Sequence, residues 1–166
     1  TFQFGDSDFK TSIEKIKNSD IQMVGVFLVS GQISRFYRQS VEMNLNVTTF
    51  GTDFFEDNSE IESAQGLMNG AVYPNMAVSE EFKTKYKNRF GNDNQITFAG
   101  NSYDMAFIVS NLLNFNSSQD TMNSIRKINY QGVLGNYSYD TKGEDKFFKQ
   151  PIYLKKIVDG QIITLR

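Results

Sequence analysis

The sequence predicts an α/β fold in which a parallel sheet is flanked by helices, and three observations lead to this class. Residues 23–29 form a nearly continuous apolar run, typical of a parallel strand covered on both faces. Residues 31–44 are predicted to be a helix because Ile33, Phe36 and Tyr37 recur at helical spacing. Short apolar runs and helical segments alternate along the first part of the chain. Such alternation requires right-handed crossovers between parallel strands.

The first part of the chain opens with a weak strand pattern at residues 1–4 and a polar turn at residues 5–8. Phe9, Ile13 and Ile16 then follow at the spacing of one helical face. Beyond the two segments described above, the pattern predicts a strand at 47–50, a helix at 58–65 and a strand at 70–73.

After Pro74 the pattern changes to helices and then to hairpins. Phe82, Tyr86 and Phe90 share one face of a helix that ends at Gly91. Two further helices are predicted, one at 98–115 with Tyr103, Ala106, Phe107 and Leu113 in the core and one at 121–128. A strand at 135–139 is then predicted to pair, across a polar turn at 140–145, with a strand at 152–158. The last predicted strand, at 162–165, follows the two-residue turn Asp159-Gly160.

The predicted strands are too few for a self-contained doubly wound domain. The alternating units end near residue 74, and three helices follow with no strand between them. We therefore expect strands from elsewhere in a longer chain to complete the sheets.

Composition narrows the classes of function. The 166 residues include 17 Lys and Arg against 19 Asp and Glu, which leaves no basic excess for binding nucleic acid. The absence of Cys and His removes thiol nucleophiles, Cys/His zinc sites and the commonest general base. The sequence also lacks G-x-S-x-G, P-loop and G-x-G-x-x-G motifs. We therefore predict no catalytic residue, no metal site and no cofactor.

Polar residues follow two predicted strands, at the edge where open α/β sheets bind ligands. Asp53 comes directly after the strand at 47–50, in the sequence Gly-Thr-Asp. Ser30 and Gly31 lie at the junction between the strand at 23–29 and the helix at 31–44, where backbone N–H groups and the helix dipole favour an anion or a polar atom. Each position has a structural alternative: Asp53 could cap the next turn, and Ser30 with Gly31 could form a tight turn and a helix N-cap.

Motifs along almost the whole chain occur in a recognisable order. They are G-D-S-D-F-K-T-S-I-E-K-I-K, V-F-L-V-S-G-Q-I-S-R-F-Y-R-Q-S, N-L-N-V-T-T-F-G-T-D, F-K-T-K-Y-K-N-R-F-G, N-S-Y-D-M-A, I-N-Y-Q-G-V-L-G-N-Y-S-Y-D-T-K-G-E and I-Y-L-K-K-I-V-D-G-Q. In this order they resemble the type I periplasmic binding proteins, the leucine/isoleucine/valine-binding family of ABC transport. The resemblance implies Rossmann-like parallel sheets in two lobes, each only partly present here because the N-terminal half of the family chain is absent. Residues 1–77 with 150–166 would belong to one lobe, and residues 78–149 to the other.

The resemblance also assigns roles to residues. Asp53 matches the family's acidic position that receives the ligand's ammonium group, whereas the aromatic residue that the family often has near Val29 and Ser30 is absent from this sequence. Phe98 aligns with an aromatic residue that walls the ligand, although a core Phe is the alternative. From their own positions in the sequence, Tyr103 and Asp104 are expected to hold helix to sheet rather than to touch ligand, and Phe54 and Phe55, beside Asp53, either line the cleft or fill the core.

The function implied is that of a non-catalytic substrate-binding protein of an ABC transporter. It would be a bacterial, secreted protein of the periplasm or the extracellular space, with a signal peptide in its precursor. Its partners would be a small molecule, with an amino acid as the family-level expectation, and a membrane permease. The alternative is a ligand-sensing regulatory module of the same fold, not coupled to transport. This fragment is expected to pair with its missing half or to self-associate, because it would expose apolar edges.

Overall fold

A computed structural model describes residues 5–140 and 148–165. The chain divides into two compact units: unit 1 comprises Thr1–Asn75 and Tyr153–Arg166, and unit 2 comprises Met76–Ile152. The strand predicted at 1–4 lies outside the described residues, as does the polar turn predicted at 140–145 apart from Asp140.

Both units combine helices with short strands. In chain order the elements are α1 (Lys10–Lys17), β1 (Met23–Val26), α2 (Ile33–Glu42), β2 (Thr48–Gly51), a 3₁₀ turn (Asp53–Glu56), α3 (Asn58–Ala64), β3 (Val72–Asn75), α4 (Glu80–Phe90), α5 (Ile96–Phe107), a π-helical turn (Ile108–Leu112), α6 (Ser118–Arg126), β4 (Asn129–Gly132), β5 (Gly135–Tyr139), β6 (Phe148–Lys149), β7 (Tyr153–Val158) and β8 (Gln161–Thr164).

Unit 1 contains a five-stranded sheet in the order β1-β2-β3-β7-β8. The first three strands are parallel, as the alternating pattern predicts, and β7 and β8 join antiparallel. The predicted two-residue turn between β7 and β8 is present, and both Asp159 and Gly160 have positive φ (50° and 74°). That conformation matches the twist of a tight hairpin.

The core of unit 1 lies on one face of this sheet. Right-handed crossovers that run in the same direction place α2 and α3 on the same side. The buried side chains there include the predicted Ile33, Phe36 and Tyr37. On alternate positions Met23, Phe27 and Leu154 are exposed. The expectation that β1 is covered on both faces is therefore wrong for this chain, because its helices cover only one face.

Unit 2 contains a three-stranded antiparallel sheet in the order β4-β5-β6. Its core comprises Val78, Ile108, Ile128, Leu134 and Tyr137. The predicted pairing of the strand at 135–139 with the strand at 152–158 is wrong. β5 lies between β4 and β6, whereas β7 pairs with β3 in unit 1. The polar sequence of β4, Asn-Tyr-Gln-Gly, gives no strand signal that would indicate this partner.

The helices α4, α5 and α6 correspond to the three helices predicted here, but α5 buries a different face from the one predicted. α4 ends before Gly91, which takes a left-handed conformation (φ 78°), as predicted. α5 begins at Ile96, and its buried residues are Thr97, Gly100 and Asp104. Tyr103 and Phe107, predicted as core, are exposed. Hydrophobic periodicity does not reveal the buried face of α5 because the side chains on that face are polar or small.

Candidate ligand-binding site

The loops that carry Ser30 and Asp53 leave the sheet at the same edge. β1 and β2 are parallel neighbours, and their last residues, Val26 and Gly51, are paired in register. The segments that follow therefore emerge side by side at the carboxyl ends of the strands. A hydrogen bond from the Ser30 hydroxyl to the carboxylate of Asp57 links the two segments directly.

Asp53 is the first residue of the 3₁₀ turn Asp53–Glu56, which we call the Asp53 turn. The cap of this turn is Thr52, whose side-chain oxygen accepts a hydrogen bond from the backbone N–H of Phe54 at 3.4 Å. Asp53 does not cap the turn, so the structural alternative for this residue is excluded. Its half-buried carboxylate forms no hydrogen bond or ion pair with the residues that the structure describes. It is therefore available to a ligand.

The Asp53 turn is fixed to the core by Phe55, which is 0% exposed. The Phe55 ring contacts the rings of Tyr37 and Tyr73, with centroids 6.2 Å and 5.8 Å away. It also lies beneath Gly51, where a Cβ atom would collide with the ring. Phe54, by contrast, is exposed. Of the two adjacent phenylalanines, Phe55 fills the core and Phe54 does not.

The N-terminus of α2 already holds an anion, supplied by the protein itself. The backbone N–H groups of Gly31 and Ser34 donate to the two carboxylate oxygens of Glu60, the second at 2.6 Å. Glu60 is only 3% exposed. A negative charge at this helix end is favourable because it meets the positive end of the helix dipole. A ligand contact at Ser30 or Gly31 stays a prediction, and it would add to these existing bonds.

Asp57 gives this edge a further carboxylate that stays ionised. It caps α3 by accepting hydrogen bonds from the backbone N–H of Ser59 at 2.9 Å and from the Ser59 hydroxyl at 2.6 Å. Partial burial would raise the pKa of Asp57, but the hydrogen bonds from Ser30, Ser59 and the backbone outweigh it and lower that pKa. With Asp53 and Glu60 nearby in sequence, this edge of unit 1 is suited to a cationic or hydrogen-bond-donating group.

Phe98 lies in the first turn of α5, in unit 2. It is 54% exposed, whereas its neighbour Thr97 is buried. The alternative of a core Phe is therefore wrong. The ring is free to contact an apolar group, although its role in ligand binding remains a prediction.

Asp104 holds α5 to the sheet of unit 2, as the sequence predicts. It is 0% exposed and accepts hydrogen bonds from the backbone N–H groups of Val133 at 2.9 Å and Leu134 at 3.0 Å, in the turn between β4 and β5. Tyr103 is exposed, and its ring contacts Phe82 on α4, with centroids 5.3 Å apart.

A cavity of about 270 Å³ lies at the opposite, amino-terminal edge of β2. It is lined by residues of α2 and the loop that follows, including Ser40 and Asn46, and by Thr48. The Ser40 hydroxyl is buried and has no hydrogen-bond partner among the described residues.

Among all the residues that the structure describes, no group of three or more carboxylates could hold a metal ion. None of the helices described is long and apolar enough to cross a membrane.

The family of this chain follows from its match to a known family model. Residues 1–161 match the family model described as periplasmic binding protein. The chain belongs to the periplasmic binding protein family. No curated protein sequence matches it significantly.

Solved structures confirm the predicted type I fold. A leucine binding protein LivK from Thermotoga maritima is 15% identical, with a TM-score of 0.82 over 99% of this chain and 49% of that chain. The substrate binding protein LivJ from Streptococcus pneumoniae, in complex with isoleucine, is 20% identical, with a TM-score of 0.77 over 99% and 51%. A solute binding protein of an ABC transporter from R. palustris, in complex with benzoate, is 16% identical, with a TM-score of 0.76 over 99% and 48%. This chain spans about half the length of these structures.

Proposed function

We propose that the protein containing this chain is the substrate-binding protein of an ABC transporter and that it binds an amino acid in the cleft between its two lobes. The observation that carries the proposal is the half-buried Asp53 carboxylate, which has no partner among the described residues and sits on a turn fixed to the core. Membership of the periplasmic binding protein family supports the same conclusion.

Asp53 would receive the amino group of the ligand. A charge-assisted hydrogen bond between an ammonium group and a carboxylate is short, strong and directional. Two structural neighbours are a leucine binding protein and an isoleucine complex, which makes a branched-chain amino acid the first ligand to test. Benzoate, bound by a third neighbour, has no amino group. An unpaired Asp53 disfavours such a ligand because like charges repel each other.

The other predicted contacts would play smaller parts. The exposed Ser30 hydroxyl donates to Asp57 and keeps oxygen lone pairs that could accept a hydrogen bond from the ligand. Gly31 would allow close approach of the ligand to the backbone, since its φ of 86° suits glycine and, apart from its chain neighbours, no residue that the structure describes has an atom within 4 Å of the position of a Cβ. The exposed ring of Phe98 would pack against the apolar part of the ligand.

The mechanism would be a population shift without catalysis. A ligand that contacts both lobes stabilises the closed form over the open form, because only the closed form makes both sets of contacts. A membrane permease would then recognise the closed form, in the periplasm or at the extracellular surface. Copurification of the intact protein with a permease would separate transport from the alternative role of a ligand-sensing module.

The test is calorimetric titration of the intact protein with L-leucine, L-isoleucine and benzoate. We expect Asp53→Asn to weaken binding of the two amino acids about tenfold or more, since a hydrogen bond to a charged group contributes about 1.5–3 kcal/mol. Asp20→Asn, which alters an exposed carboxylate elsewhere in unit 1, is the matched control. Amino-acid affinity that is unchanged by Asp53→Asn would remove Asp53 from the site. Parent protein that binds only benzoate would show that the ligand class is wrong.

A further inference from the structure

The Asp53 turn ends at Glu56, and Glu56 is held by two strands. Its carboxylate forms an ion pair with the Lys155 ammonium group on β7, and both side chains are largely buried. It also accepts a hydrogen bond at 3.3 Å from the Tyr73 hydroxyl on β3. The turn that presents Asp53 is therefore fixed at two points, by Phe55 in the core and by Glu56 at its end.

The two strands that hold Glu56 are those by which the chain leaves and re-enters unit 1. β3 ends at Asn75, directly before unit 2 begins, and β7 starts at Tyr153, the first residue after unit 2. Tyr73 and Lys155 face each other in the register of this antiparallel pair. Their side chains converge on one carboxylate from opposite strands.

Stability alone does not account for a buried ion pair of this kind. The cost of desolvating two charges offsets most of their attraction, and apolar replacements of such pairs are often at least as stable. Charged hydrogen bonds do, however, fix the relative geometry of the groups they join. Burial, followed by the proximity of Glu56, raises the pKa of Tyr73, so that its hydroxyl keeps the proton that it donates.

We propose that Lys155 and Tyr73 are positioning residues for the ligand site, acting through Glu56 to hold the Asp53 carboxylate where the ligand's amino group meets it. This inference rests on the proposed function of Asp53. It extends the site from the loops at the sheet edge to the two strands that connect the units.

The first test compares a ligand that has an amino group with one that lacks it. Calorimetry of the intact protein would use L-leucine and 4-methylpentanoate, which has the same carbon chain without the amino group. We expect Lys155→Met to weaken L-leucine about tenfold and Tyr73→Phe about threefold, while 4-methylpentanoate changes less than about twofold. Lys155→Arg should recover part of the loss. The matched control is Lys15→Met, which removes an exposed lysine from α1.

A second variant guards against misfolding. Lys155→Met alone leaves Glu56 buried without its cation, a change that is strongly destabilising. The double variant Lys155→Met/Glu56→Gln removes the pair without leaving an uncompensated charge. It should fold, and we expect it to show the same selective loss of L-leucine affinity. Equal losses for L-leucine and 4-methylpentanoate would mean that the pair has only a structural role.

A third measurement needs no ligand. The backbone N–H of Phe55 donates to Thr52 at 3.0 Å and that of Asp57 to Phe54 at 3.2 Å, both within the turn. In hydrogen–deuterium exchange of the double variant, we expect the peptide covering 52–57 to exchange faster, with the peptide covering 40–46 unchanged. Unchanged exchange of residues 52–57 would overturn the inference. If the parent protein binds neither L-leucine nor L-isoleucine, the proposed ligand class fails, while the exchange measurement still decides this point.

Discussion

Glu60 occupies the N-terminus of α2, a position where the sequence predicts a ligand contact. Its buried carboxylate accepts the backbone N–H groups of Gly31 and Ser34 at the start of α2. We expect Glu60→Gln to lower the free energy of unfolding by about 1–2 kcal/mol, because the amide offers one acceptor and no charge to the helix dipole. Urea unfolding of the intact protein measures this. Glu62→Gln, an exposed substitution in the same helix, should have little effect. An equal effect of the two substitutions would contradict the role of Glu60.

The ionisation of Asp57 is expected to make the stability of the α3 cap depend on pH. Its hydrogen bonds lower its pKa in the folded protein, against the opposing effect of burial. A lowered pKa stabilises the folded state above the pKa of the unfolded chain, and that stabilisation is lost as the pH falls through the lower folded value. Below about pH 4 the α3 cap should therefore weaken. Asp57→Asn should reduce the acid sensitivity of unfolding between about pH 5 and pH 2. An unchanged pH profile would show that Asp57 contributes nothing to it.

At the scale of elements, the position of α5 depends on one buried carboxylate, that of Asp104. Asp104→Asn replaces one acceptor by an amide donor that would face the backbone N–H of Val133 or Leu134. We expect a loss of about 3 kcal/mol in the free energy of unfolding of unit 2. Chemical unfolding followed by circular dichroism measures it, and Asp93→Asn, an exposed substitution in the same unit, is the control. A loss no greater than the control's would mean that packing alone positions α5.

The elements also show what the sequence could and could not predict. The helix at α2 was readable because its apolar residues recur at helical spacing, and β1 because it lies in a nearly continuous apolar run. The buried face of α5 was not, since Asp104 and Gly100 give no hydrophobic signal. The pairing of β5 with β4 depends on contacts between strands, which periodicity within one strand does not encode. Asp53 could be proposed as a ligand contact because it directly follows a predicted strand, but the role of Glu60 depends on a neighbour 29 residues away in sequence.

At the scale of the whole molecule, the sheet of unit 1 has an uncovered apolar face. Met23, Phe27 and Leu154 are exposed on it, and Phe27 reaches 69% exposure. α/β sheets of this kind are normally covered by helices on both faces. Large exposed apolar patches of this sort mark surfaces that bind a partner.

We therefore expect the 166-residue chain, expressed alone, to self-associate. Light scattering across a range of concentrations would detect the self-association. Phe27→Gln with Leu154→Gln should shift the distribution towards monomer, because the two changes remove apolar area from the uncovered face. Phe90→Gln, on an exposed position of α4 in unit 2, should leave it unchanged. A parent chain that stays monomeric and does not bind a hydrophobic dye would contradict the prediction, since its exposed face would then need no cover.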